Sequence, residues 1–145
     1  MRNLVEDVAA FHRKIGYAEL NGQGLRADII RRRLAYIDEE AREVHEAMSE
    51  AACLADNGEL SMHDPEVAHM VQELIDLTYV IAGTFAELGI DPEPAWQAVH
   101  AANLRKVAAP GGGKAIKPEG WQPPEVPVQP LELSSEVQGV LTLSP

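Results

Sequence analysis

Apolar residues from Leu25 to Phe85 recur every three or four positions, the period of an amphipathic α-helix, and no part of the chain shows the alternation of a half-buried strand. Ile29, Ile30, Leu34, Ile37, Ala41, Val44 and Met48 predict a helix from about Leu25 to Ala55, stopped by Asn57-Gly58. Val67, Met70, Val71, Leu74, Leu77, Ile81 and Phe85 predict another. It opens at Asp64-Pro65-Glu66, with Asp as the cap and Pro in the first turn, and stops at Gly89. A shorter helix from Leu4 to Ile15 precedes these two, and a last one runs from Asp91-Pro92-Glu93 to near Val107. The expected fold is all-α, a bundle of four to five helices.

After residue 107 the chain changes character. Residues 108–145 hold seven of the ten prolines and the run Gly111-Gly112-Gly113, so they cannot form a long helix. The expected division is a helical domain, 1–107, and a Pro/Gly-rich C-terminal arm, 108–145, disordered at its very end. Aromatic residues make up only 5% of the chain, which leaves the core to Leu, Ile, Val, Ala and Met and suits packed helices. The net charge of −11 argues against a broad basic face for nucleic acid. The single cysteine, Cys53, excludes an intrachain disulfide and reads as a small half-buried hydrophobe. Charges throughout Met1 to Ile15 argue against a signal peptide, and no stretch approaches the ~20 apolar residues of a membrane span. A cytoplasmic location with no membrane partner is expected.

Carboxylates carry the functional signal. Glu39, Glu40 and Glu43 fall within roughly a 100° arc of the second helix. Alone, such a triplet is most simply a solvated acidic face. Glu73 and Asp76 alter that weighting, because they sit among Met70, Leu74, Leu77, Val80 and Ile81 on the face that should be buried. A buried carboxylate is costly unless paired or bound to a cation. Two readings follow: ion pairing with Arg31, Arg32 or Arg33, and binding of a hard cation by an all-oxygen donor set. Mg²⁺ suits the second, with Mn²⁺ as its substitute. A di-iron centre is disfavoured, since Glu66-x-x-His69 occurs once and such sites need two copies. His45 and His100 read as surface or interface residues.

The ordered set of these residues resembles the all-α nucleoside triphosphate pyrophosphatases, which include MazG-like enzymes, dimeric dUTPases and phosphoribosyl-ATP pyrophosphohydrolase. Glu39-Glu40-x-x-Glu43 followed by Glu73-x-x-Asp76 looks like their signature. Phe11-His12-x-x-Ile15-Gly16, Glu73-Leu74-Ile75-Asp76-Leu77-x-Tyr79-Val80, Val99-His100-x-Ala102-Asn103-Leu104-x-Lys106 and Lys114-x-x-Lys117-Pro118-Glu119-Gly120-Trp121 look like the small MazG-like branch that acts on dUTP. The resemblance covers residues 10 to about 125.

It implies a dimeric MazG-like bundle, or a dimer of dimers, that cleaves a nucleoside triphosphate to monophosphate and pyrophosphate. By analogy Glu39, Glu43, Glu73 and Asp76 hold Mg²⁺, and Glu40 positions or deprotonates the attacking water. Asn103, Lys106, Lys114 and Lys117 are the implied phosphate and base contacts, with His12, Tyr79 and Trp121 as further substrate candidates. Lys106 is equally explained by the dipole at a helix C-terminus. A role in clearing a pyrimidine deoxynucleotide such as dUTP is the first reading. Phosphoribosyl-ATP as substrate is the alternative, and a non-catalytic helical scaffold is a third.

Overall fold

A computed structural model describes residues 1–133. Four helices form the bundle: α1 (Arg2–Lys14), α2 (Ala27–Asp56), α3 (Pro65–Leu88) and α4 (Glu93–Leu104). A single 3-10 turn, Ala18–Leu20, links α1 to α2. None of the described helices is long and apolar enough to cross a membrane. The far end of the expected arm, residues 134–145, lies outside the described residues.

Local chemistry explains the boundaries. Gly89 closes α3 at φ +69, a left-handed cap that glycine adopts without a Cβ penalty. Pro65 occupies the first turn of α3, but the Asp64 carboxylate turns back to accept from the Ser61 N–H instead of capping the helix. At α4 the cap residue is Pro92, one position later than the sequence suggests. Asp91 still satisfies that end, because its Oδ1 accepts from the Glu93 N–H at 2.9 Å.

The core is small and built of small residues. Val5, Val8 and Ala9 of α1 meet Ala82 and Ala86 of α3, with Phe85, Leu131 and Leu133 packed against them. Short side chains let the two helices approach closely. The two leucines come from the tail. Gln129–Pro130 (β2) pairs antiparallel with Ile90–Asp91 (β1), setting Ile90 opposite Pro130, and the Leu131 N–H donates to Gly89 O at 2.8 Å. The sequence shows no strand pattern here, because two-residue strands are too short to display one. Cys53 departs from expectation too: it is exposed, not half-buried.

Large apolar side chains remain outside. Leu34, Ile75 and Trp96 are more than half exposed, and Ala102 is the one buried residue of α4.

Candidate metal centre

Helices α2 and α3 lie against each other, and their shared face carries charge at both ends. At one end, Glu87 of α3 is 2% exposed and accepts from Arg32 Nη2 at 2.7 Å and Arg33 Nη1 at 3.2 Å. Arg33 is itself buried, and also donates to Thr84 Oγ1 and to the Val80 carbonyl. Burial lowers the pKa of Arg33, while its bond to Glu87 raises that of Arg32. Among the described residues no buried side-chain polar atom lacks a partner, so this network is fully satisfied. Of the arginines considered as partners for Glu73 and Asp76, Arg32 and Arg33 are therefore engaged elsewhere, at Glu87, and Arg31 is exposed.

At the other end the carboxylates gather. One oxygen each from Glu40, Glu43 and Glu73 lies within 4.8 Å of the others. Glu73 is buried, Glu40, Glu43 and Asp76 are half-buried, and Glu39 is exposed. Burial, then the charges of Glu43, Asp76, Glu39 and Glu73 in that order, raises the pKa of Glu40. Of the five expected carboxylates, the geometry brings together Glu40, Glu43 and Glu73, while Glu39 and Asp76 act on Glu40 through their charge. Among the described residues, two basic side chains reach the cluster. Arg42 reaches Glu43 at 3.8 Å from a largely exposed position, where it also pairs with Glu46 at 3.1 Å. His69 Nδ1 lies 3.2 Å from Glu73 Oε1.

The donor set fits a hard divalent cation. Three carboxylates converge without a thiol, and oxygen donors of this kind suit Mg²⁺ or Mn²⁺.

A cleft of about 510 Å³ opens at the Glu87 end of this face, lined by Phe11, His12, Tyr17, Arg32, Tyr36 and Glu87 among others. That volume lies within the usual range for small-molecule sites. Its lining residue Tyr36 precedes Glu40 by one helical turn, about 6 Å along the α2 axis. His12 is buried there, with Nδ1 2.7 Å from Asn21 Oδ1. Tyr79 meets the edge of Phe11 at 5.9 Å between centroids. Tyr17, Tyr36 and Glu87 carry no motif, and only the packing of α1 and α2 against α3 brings them together.

The remaining candidates form a second group. Asn103, Lys114 and Lys117 are exposed, and Lys106 is half-buried. Val107 pairs with Ile116, closing a hairpin around Gly111, Gly112 and Gly113 that displays Lys114. Trp121 anchors the hairpin's base by donating Nε1–H to Ala102 O at 3.3 Å, and Lys117 Nζ sits 4.5 Å from the centre of its ring. Among the described residues, no hydrogen bond or ion pair joins this group to the carboxylates.

Residues 8–103 match the family model described as phosphoribosyl-ATP pyrophosphohydrolase. No curated protein matches the chain.

Proposed function

Because the chain belongs to the phosphoribosyl-ATP pyrophosphohydrolase family, we propose that it hydrolyses phosphoribosyl-ATP to phosphoribosyl-AMP and pyrophosphate in a Mg²⁺-dependent reaction. That it is a pyrophosphohydrolase, acting on an acid anhydride of a nucleotide, follows from membership itself. The substrate is the proposed part. The family match favours phosphoribosyl-ATP over the dUTP that the short motifs suggest. The observation that carries the mechanism is the convergence of Glu40, Glu43 and Glu73.

Glu43 and Glu73 would hold the cation, with Glu39 and Asp76 contributing charge nearby. A bound Mg²⁺ neutralises phosphate charge and lowers the pKa of water. Glu40 is close enough to ligate as well, and is the residue that would hold the attacking water and accept its proton at a carboxylate oxygen. The cleft past Tyr36 receives the nucleoside end, where aromatic rings and the buried His12 line the wall. Asn103, Lys106, Lys114 and Lys117 supply the cationic and polar contacts to the phosphates that the carboxylates cannot.

A second copy of the chain completes this arrangement. From Ala102 to Pro118 the sequence carries Arg105, Lys106, Lys114 and Lys117 and no acidic residue, in a protein of net charge −11. Among the described residues none of these four forms a salt bridge. The exposed apolar residues Trp96, Val99 and Leu104 of the preceding helix, α4, need cover. A homodimer would bury them and balance charge.

The test is pyrophosphate release from phosphoribosyl-ATP, dUTP, dCTP and the common nucleoside triphosphates, with Mg²⁺ and with EDTA. Turnover of phosphoribosyl-ATP well above the rest, abolished by EDTA, is the expected result. Preference for dUTP or dCTP would overturn the substrate assignment, and EDTA-insensitive turnover would overturn the metal assignment.

A further inference from the structure

We infer that Asn21 is a positioning residue for the cleft at the Glu87 end: it holds the His12 ring so that Nε2 offers a hydrogen-bond acceptor to an N–H group on the edge of a base. The inference deepens the reading of this cleft as the nucleoside end, and rests on it.

Two hydrogen bonds in series set the direction. Asn21 Nδ2 donates to the Ala9 carbonyl at 3.2 Å. A carbonyl only accepts, so the side-chain amide has one orientation, with Oδ1 turned to His12. Nδ1 of His12 lies 2.7 Å from that Oδ1. Oδ1 only accepts as well, so Nδ1 carries the proton, and in the neutral imidazole Nε2 keeps its lone pair. The backbone around Asn21 is pinned. Its N–H donates to Ala18 O at 3.1 Å, and the next two N–H groups, of Gly22 and Gln23, donate to Ala86 O at 2.8 Å and Glu87 O at 2.7 Å. The linker between α1 and α2 is thereby fixed to the end of α3, and a support fixed in this way holds a site group to a narrow geometry.

Nε2 is the acceptor left for a ligand. His12 is 6% exposed and lines the cleft. Among the described residues Nε2 bonds to nothing, and no buried side-chain nitrogen or oxygen lacks a partner, so Nε2 lies at the accessible edge of the ring. The other buried acceptor of the wall, Glu87, has both oxygens taken, one by Arg32 and one by Arg33. Glu19, which also lines the cleft, is exposed. Phe11, Tyr17 and Tyr36 supply flat apolar faces. Pockets of this kind fix a ligand's orientation with a few polar groups in an apolar wall. An acceptor there suits the 6-amino group of adenine, the base of the proposed substrate.

A plain structural link between α1 and the linker would use the same two bonds and would be indifferent to what enters the cleft. Binding separates the two readings. The probes are adenosine 5′-monophosphate and purine riboside 5′-monophosphate, which differ only in the 6-amino group, titrated into the full chain with Mg²⁺ by calorimetry. The ring nitrogens of His12 are followed by NMR in ¹⁵N-labelled wild type. The expected result has the proton on Nδ1, an Nε2 resonance that moves with the adenosine nucleotide and not with its purine analogue, and the adenosine nucleotide bound about tenfold more tightly. In Asn21→Ala, where the ring is free to place its proton on Nε2, that preference should fall to within about twofold, and His12→Phe should remove it likewise. A proton on Nε2 in free wild type would overturn the inference, and equal binding of the two nucleotides by wild type would do the same. The preference retained in full by Asn21→Ala would reduce Asn21 to a structural link. No binding of either nucleotide, with His12 resonances unmoved, would overturn the nucleoside reading of the cleft and this inference with it. The wild-type spectra decide even where a variant fails to fold.

Discussion

The two ends of the α2–α3 face use the same residue types to opposite effect. At the Glu87 end one buried carboxylate meets two guanidiniums, every polar atom finds a partner, and the result is a cross-brace between helices. At the Glu73 end three carboxylates meet one exposed imidazole and one exposed arginine, and negative charge accumulates. Stability alone would favour the first arrangement at both ends, since uncompensated buried charge costs several kcal/mol. A fold that tolerates the second has reason to leave the site open to a cation. The difference shows that burial of a carboxylate does not mark a site by itself. Glu87 is more buried than Glu73, and its partners mark it as structural.

Neutralising one carboxylate at each end breaks the comparison most sharply. Glu73→Gln removes a proposed ligand, and turnover should fall roughly a thousandfold or more, equivalent to about 4 kcal/mol of transition-state stabilisation. The metal-free protein should be no less stable to denaturant than wild type, because one of the crowded charges is gone. Glu87→Gln should do the reverse. It leaves the Arg33 guanidinium buried without its counter-charge and should cost about 3–5 kcal/mol by urea unfolding. Mn²⁺ affinity should persist in whatever fraction stays folded. If Glu73→Gln destabilised the protein as much as Glu87→Gln, the two ends would be structurally equivalent and the contrast would fail.

This contrast was only half legible in the sequence. The helices follow from apolar spacing, and α2 and α3 end where Asn57-Gly58 and Gly89 require. The carboxylates follow from their spacing as well, since Glu40 and Glu43 share a face of α2, and Glu73 and Asp76 one of α3. Which arginines meet which acids depends on how α2 registers against α3, and no local pattern encodes that. The sequence therefore offered Arg31, Arg32 and Arg33 as partners for Glu73 and passed over Glu87. The docking of Leu131 and Leu133 was hidden for a related reason: its hydrogen bonds join Gly89 and Ile90 to a tail segment far along the chain. The His69–Glu73 contact was visible in principle, since one-turn spacing on a helix brings side chains together.

A smaller effect sharpens the structural end. Gly83 lies on α3 where an added Cβ would come within 2.9 Å of Arg33 Nη2, the atom that donates to Val80 O. Gly83→Ala should gain about 1 kcal/mol in helix propensity and lose about 1–3 kcal/mol by displacing a locked guanidinium. The net expectation is a loss on the order of 1 kcal/mol in urea unfolding, with Mn²⁺ affinity unchanged. A net gain would show that the Arg33 brace is looser than its hydrogen bonds imply.

The smallest expected effect isolates the carboxylate end by pH. Glu40 has a folded-state pKa raised above its ordinary value, first by burial and then by its four acidic neighbours. The folded metal-free protein therefore takes up this proton more readily than the unfolded chain. Its contribution to stability is fully present below the unfolded-state value and is lost as pH rises through the raised folded-state value. Asp28 and Glu93 act in the opposite sense and at lower pH, because their ion pairs hold their pKa values down, and the stability they contribute is lost as pH falls through those depressed values. Between the ordinary carboxylate range and neutrality, the Glu40 effect should dominate the difference between wild type and Glu40→Gln. In metal-free buffer that difference should widen in favour of Glu40→Gln as pH is raised from about 5 to about 7, read as melting temperature at each pH. Saturating Mg²⁺ should shrink or reverse it, because a cation among the carboxylates replaces the proton as the neutralising charge. A pH-independent difference would mean that Glu40 is not crowded by its neighbours, and the five acids would then be electrostatically independent.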